Sequence, residues 1–213
     1  MKLFFNYCSY GFSNCYILGA ETTDTAFFDN PGISNAAIIV DPGNMEKNTL
    51  DIIESNNFNV KAVLITHSHL CHVRGLRTFK RIYDVDVYAV DQFITDHKTI
   101  MVKDSDKIDI SGFKVEVISI PGHSFDSVVY RIGHFLFTGD VLTAGLVGST
   151  ASAYGAATQM SKLRSRLLSL PGDYVVLPGH GPPSTLEAER RFNKDIYHFD
   201  LVRSRKPVFR VDD

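Results

Sequence analysis

The chain has 213 residues, of which 44% are hydrophobic, and a formal charge of -2. That is enough apolar material for a core in one domain spanning 1–213, and the charge excludes a basic nucleic-acid face or a polybasic membrane patch. No apolar run approaches the ~20 residues of a membrane span, and MKLFFNYCSYGFSN lacks the apolar core and cleavage site of a signal peptide, so a cytoplasmic protein is expected. The three cysteines, Cys8, Cys15 and Cys71, are an odd count and do not suggest a disulfide framework. Cys8 and Cys15 read as small buried thiols in a reducing compartment.

In chain order, Lys2–Tyr7 and Cys15–Leu18 read as a first pair of strands. Ala36–Val40 is a buried strand that ends in the turn Asp41-Pro42-Gly43. A helix is expected between Met45 and Asn56, a buried strand over Val60–Thr66, a helix over Val73–Tyr83 and a strand over Val85–Val90. Phe113–Ile120, Ser127–Ile132 and His134–Thr138 read as three further strands. Met160–Leu170 is an amphipathic helix, Tyr174–Leu177 a strand, and Thr185–Ile196 a closing helix capped by Ser184 or Thr185.

Four of these strands end in polar clusters: THSHLCH at 66–72, PGHS at 121–124, TGD at 138–140 and PGHG at 178–181. Strand ends carry loops held by a rigid scaffold, where reactive groups are usually found. Five of the eight histidines fall in these clusters. A divalent ion needs several neutral imidazoles and carboxylates at about 2.0–2.2 Å, fixed from more than one direction. His67 and His69 are two apart and point the same way off an extended segment. His72, three further on at the start of a helix, must face another direction. His123 and His180 each follow Pro-Gly, whose tight turn brings the imidazole close. Asp140 follows Gly139 and can bridge two ions through its two oxygens. His97, His134 and His198 are expected to be surface or core residues.

The order THxHxxH, PGH, TGD, PGHG resembles the metallo-β-lactamase superfamily. Asn14-Cys15-Tyr16, IIVDPG at 38–43, FTGDVLTAG at 137–145 and LLSLPGDYVVLPGHGPPSTLEAERRFN at 167–193 resemble short glyoxalase II-like hydrolases. The resemblance spans residues 14–193 and implies an α/β fold, a four-layer αβ/βα sandwich with metals at one edge between two sheets. It places a first metal on His67, His69 and His123 and a second on Cys71, His72 and His180. Asp140 bridges them, with Asp140 and His123 carrying the chemistry, and Asp41 orients the histidine loop; a plain turn residue is the equal alternative for Asp41. The implied cofactor is Zn2+, one or two per chain, with Fe possible. The implied reaction is hydrolysis of a thioester or other small ester by a metal-bound hydroxide. The partner is then a small-molecule substrate, with no nucleic acid and no membrane; nothing indicates the oligomeric state. Full glyoxalase II enzymes hold glutathione with a longer C-terminal helical region, so with the chain stopping soon after His180 that pocket is expected to be reduced or absent. Two alternatives stay open: an iron-dependent persulfide dioxygenase, or a non-catalytic metal-binding or redox-sensing protein.

Three features depart from the family pattern. The pattern HxHxDH reads His67-Ser68-His69-Leu70-Cys71-His72, with cysteine in place of aspartate. Cys71 is read as a thiolate ligand, as a bystander beside a one-metal site, or as the mark of a non-catalytic site. Second, Leu146–Ala151 lacks the arginine near Ser149 and the aspartate near Ala151 of close relatives, which puts the support of that loop in doubt. Third, Glu21–Asn35 is longer than a tight hairpin and carries Phe27-Phe28, which in this fold can border the site.

Overall fold

Three segments are buried at every position: Asn14–Gly19, Ala36–Val40 and Phe135–Gly139. Continuous burial along a strand requires cover on both faces, and the fold supplies it. The computed structural model describes residues 1–20 and 35–198.

The strands are β1 (Lys2–Tyr7), β2 (Asn14–Gly19), β3 (Ala36–Val40), β4 (Asn59–Leu64), β5 (Asp86–Ala89), β6 (Phe93–Ile94), β7 (His97–Lys98) and β8 (Ile100–Met101). They are followed by β9 (Lys107–Ile110), β10 (Phe113–Ser119), β11 (Val128–Ile132), β12 (Phe135–Gly139), β13 (Leu142–Thr143), β14 (Leu146–Val147), β15 (Val175–Pro178) and β16 (Ser184–Thr185). The helices are α1 (Lys47–Ser55), α2 (Leu70–Val73), α3 (Leu76–Ile82), α4 (Ala153–Lys162) and α5 (Leu186–Phe192), with a π-helical stretch Leu163–Leu168 continuing α4. Two six-stranded sheets form, in the orders β1-β2-β3-β4-β5-β8 and β16-β15-β12-β11-β10-β9.

The period of two along each strand sorts side chains into two cores. Tyr16, Leu18, Ile38, Val40 and Leu64 point between the sheets and meet Val115, Val117, Tyr130, Phe137 and Leu177. Ile17, Ile39, Val63 and Ile65 point the other way and pack with Ile53 of α1 and with Leu76 and Phe79 of α3. Across the second sheet, Val129, Leu136 and Val176 pack with Met160, Leu163, Leu167 and Leu186. The result is a helix, sheet, sheet, helix sandwich, the layering of the expected fold.

Several boundaries differ from the sequence reading. The helix expected over Val73–Tyr83 begins at Leu70 and breaks at Gly75, whose Cα packs on the backbone of Gly43, Asn44 and Met45. The helix expected from Met160 starts at Ala153, where the Ser152 side chain accepts from Gly155 N, and widens into the π stretch. The closing helix is capped by Thr185, which accepts from Ala188 N. The short strands β6–β8 and the pair β13–β14 carry too few residues to show a period. Phe27-Phe28 lies outside the described residues.

At one edge the sheets are joined by backbone hydrogen bonds. Asn14 N donates to Gly179 O at 2.8 Å and Val128 N to Thr66 O at 2.9 Å, while within the second sheet Gly179 N donates to Gly139 O at 2.8 Å. The Tyr130 hydroxyl crosses to Ile65 O at 3.0 Å. These bonds fix the start of β2 and of β11 and the ends of β4, β12 and β15 against one another. No helix among the described residues is long and apolar enough to cross a membrane.

Phe137 is fully buried between the sheets, with its ring edge-on to Tyr16 at 5.5 Å. Phe137→Ala is expected to cost about 3–5 kcal/mol of unfolding free energy, checked by equilibrium denaturation.

Candidate metal centre

β4 delivers Thr66, His67, Ser68 and His69 in extended chain, and α2 then turns Cys71 and His72 inward. β10 leads into His123, β12 into Asp140 and β15 into His180. One donor atom from each of His67, His69, His123 and Asp140 forms a group within 4.8 Å, and Cys71, His72 and His180 form another. The structure therefore brings together all seven residues singled out from the sequence. His97, His134 and His198 lie outside both groups.

The spacing fits ions. Two ligand atoms at about 2.1 Å from a tetrahedral ion lie about 3.4 Å apart. His67 Nε2 is 3.0 Å from His69 Nδ1, which is 3.0 Å from His123 Nε2. Asp140 Oδ2 is 3.7 Å from His67 Nε2, 3.5 Å from His123 Nε2 and 3.5 Å from His180 Nε2. Its Oδ1 is 3.5 Å from His72 Nε2, and Cys71 Sγ is 3.7 Å from His180 Nε2. His72 Nε2 and Asp140 Oδ1 are both buried without a hydrogen-bond partner. Buried polar atoms left unpaired at the meeting point of two donor groups are what an ion would satisfy.

Outer partners fix which nitrogen faces inward. Carbonyl oxygens only accept, so His123 Nδ1 donates to Ser149 O at 2.8 Å and His180 Nδ1 to Phe12 O at 3.1 Å. His72 Nδ1 faces Asp41 Oδ2 at 3.1 Å. The Thr66 hydroxyl donates to Asp41 Oδ2 at 2.7 Å and can accept from His67 Nδ1 at 3.1 Å. Each of these four rings then directs Nε2 into the centre, whereas His69 presents Nδ1. Asp41 is buried, and its Oδ1 also accepts from Thr66 N at 2.8 Å. It thus holds His72 directly and His67 through one hydroxyl, more than a plain turn residue would do.

Some supports were not legible in the sequence. Asp126 Oδ2 accepts from Ser68 N at 2.7 Å and pins the loop between His67 and His69. The loop after Asp140 lacks the arginine and aspartate of close relatives, yet it is held by other groups. Gln159 Nε2 donates to Gly148 O at 3.0 Å and to Val141 O at 3.3 Å. Glu189 accepts from Gly145 N at 3.1 Å, and Asp195 from Val147 N at 2.9 Å. Gly179 is required because a Cβ there would overlap the Asp140 carboxylate and the His72 ring. Gly11, at φ +69, lies directly on the Cys71 side chain.

Burial, with help from the charge on His72, lowers the His67 pKa to about 3. Burial and His123 lower that of His69. Both rings therefore stay neutral, with a lone pair free. Burial also pushes His72 down, but the Asp41 and Asp140 carboxylates outweigh it and raise the pKa well above the ordinary value. Burial raises Asp140, yet the surrounding histidines hold it below the usual carboxylate range. Burial likewise raises the Cys71 thiol, but His180 and His72 more than reverse this and bring it to about 6. In contrast, burial raises Cys8 and Cys15.

The metallo-beta-lactamase superfamily model matches residues 11–180. The chain belongs to the metallo-beta-lactamase superfamily. It is 30% identical to the hydroxyacylglutathione hydrolase GloC of Haemophilus influenzae over 79% of this chain and 93% of that one. It is 31% identical to an uncharacterised protein of Mycobacterium tuberculosis over 84% of this chain and 91% of that one. Among solved structures, ETHE1 from Myxococcus xanthus superposes with a TM-score of 0.78 at 22% identity, over 98% of this chain and 93% of that one. That likeness shows the shared fold.

Two outcomes follow from the outer partners and from Cys71. Asp41→Asn is expected to weaken metal-ion binding by about 10–100-fold, measured by competition with a chelating dye. In metal-free protein the reactive thiolate grows as pH rises through the pKa. Alkylation of Cys71 should therefore reach its plateau by about pH 7, with a midpoint near 6, where an ordinary thiol has a midpoint near about 8.5. His180→Ala should move that midpoint upward, and mass spectrometry of the alkylated peptide reads both.

Proposed function

We propose that this protein is a metal-dependent hydrolase of a small thioester or ester, working with two metal ions. One observation carries the reading: the single Asp140 carboxylate faces both donor groups, Oδ2 toward His67, His123 and His180 and Oδ1 toward His72. The first ion would be held by His67, His69 and His123. The second would be held by Cys71, His72 and His180, with Asp140 shared. Zinc suits these ligands, since imidazole and a thiolate are borderline to soft donors, and iron is the alternative. When bound, the metals supply an acidified water and polarise a carbonyl oxygen.

The chain's own residues prepare the site. Asp41, Thr66, Ser149 and Phe12 accept from the outward Nδ1 atoms, which leaves Nε2 as the atom each ring would offer an ion; on His72, whose pKa is raised, the ion would displace the Nε2 proton. His67 and His72 are buried, while His69 is exposed, so the set is closed on its inner side and open to a substrate on its outer side. Cys71 keeps the single negative charge of the aspartate it replaces. The 30% identity to a hydroxyacylglutathione hydrolase supports a thioester as the substrate class. The persulfide dioxygenase alternative needs one iron on a His-His-Asp set, and a second group of three donors favours the two-metal hydrolase over it.

Zinc-loaded protein is expected to hydrolyse a simple acyl thioester, and a chelator should abolish turnover. Asp140→Ala should lower kcat/KM more than about 100-fold, beyond the loss typical of an outer partner. Normal turnover in Asp140→Ala, or turnover unaffected by the chelator, would overturn the reading.

A further inference from the structure

Five segments frame the centre: 8–13, 66–72, 121–126, 140–155 and 179–185. None contains a lysine, an arginine or a glutamate. Their aspartates are Asp140 itself and Asp126, which is buried against Ser68. Just beyond His72, Arg74 is taken up by the Tyr10 ring, 4.1 Å from its centroid. The frame does carry apolar side chains turned to solvent. Leu70 stands between His69 and Cys71 and is 53% exposed. Phe125 stands two residues after His123 and is 84% exposed. Phe12, 65% exposed, gives its carbonyl to His180 and stacks on Tyr7 at 6.1 Å.

These three residues come from two loops and the first turn of α2, and each is tied down at the centre. Ser13 Oγ donates to Cys71 O at 2.7 Å, and Ser9 N and Oγ donate to Glu46 at 2.9 and 2.6 Å, so the segment around Phe12 is held on both sides. Asp126 ties the segment around Phe125 to the loop between His67 and His69. Leu70 opens α2. An anionic thiol such as glutathione brings carboxylates that need cationic partners to replace their water. The five segments offer none, and Arg74, the cation just beyond them, is stacked on the Tyr10 ring. An aliphatic chain needs only apolar surface to cover it.

We propose that Phe12, Leu70 and Phe125 form an apolar rim that selects uncharged substrates with an aliphatic or aromatic acyl chain, in preference to thioesters of charged thiols. The proposal rests on the hydrolase reading and names its substrate class. It also gives a role to three side chains that metal binding leaves unused.

The test uses zinc-loaded protein and thioesters of one neutral thiol, N-acetylcysteamine, with acyl chains from acetyl to octanoyl. S-lactoylglutathione is the charged comparator. Each methylene that reaches the rim should raise kcat/KM by about two- to fourfold, and S-lactoylglutathione should fall below the longer neutral substrates. Phe125→Ala and Leu70→Ala should flatten this dependence on chain length; both side chains are exposed, so folding is not at stake. A flat or falling series, or a preference for S-lactoylglutathione, overturns the rim while leaving the hydrolase reading intact. If no thioester turns over, the hydrolase reading fails, and calorimetric binding of ethanethiol through octanethiol to the zinc-loaded protein decides the rim. Affinity that rises with chain length and falls in Phe125→Ala supports it, and affinity independent of length overturns it.

Discussion

Five imidazoles and an aspartate crowd one edge of the sandwich, and two of the rings are almost fully buried. Such a cluster holds its shape through partners on its outward nitrogens, which four of the five rings have. Asp41 is the pivot of that arrangement. Its two oxygens take Thr66 N, the Thr66 hydroxyl and His72 Nδ1. Through Thr66 it also governs His67. A residue that ends β3 thus decides how residues after β4 face the centre, across the parallel pairing of β3 with β4. Asp41 adopts φ +51 to do so, a left-handed conformation that aspartate tolerates better than most side chains.

The layered fold serves this edge. Continuous burial of β2, β3 and β12 makes their ends rigid, and the bond from Asn14 to Gly179 joins the sheets where the ligands emerge. Gly179 must be bare because Asp140 and His72 occupy the space a Cβ would take. Gly148 is bare for a similar reason, since a Cβ would strike the Asp140 carbonyl. Close approach, more than turn chemistry, explains these two glycines. On the two-metal reading, Cys71 in the place of the family's aspartate would keep the charge as a thiolate and change the donor from oxygen to sulfur. Gly11 pressed against its side chain and His180 at 3.7 Å leave the thiolate in place beside its imidazole partner.

Much of this was legible in the sequence, for physical reasons. The strand run Ala36–Val40 is apolar throughout and Phe135–Gly139 is so up to Thr138 because both faces are covered, and their ends coincide with the polar motifs. Ligand spacing in THSHLCH followed from the alternation of extended chain and the onset of a helix. What stayed hidden acts through groups that carry no residue signature. Ser149 and Phe12 serve through backbone carbonyls, which any residue could provide. Gln159, Glu189 and Asp195 support the Asp140 loop from elements that are distant in sequence. Two-residue strands such as Phe93–Ile94 and Ile100–Met101 are set by their neighbours in the sheet and have no period of their own. The break at Gly75 arises from tertiary contact with residues 43–45, not from helix propensity.

The central claim is that one carboxylate joins two donor groups into a two-metal site. Anomalous diffraction from crystals of the zinc-loaded protein tests it directly. The account requires two peaks per chain, one against His67, His69 and His123 and the other against Cys71, His72 and His180, with Asp140 in contact with both. A single peak at full zinc loading, or two peaks of which Asp140 touches only one, would contradict it.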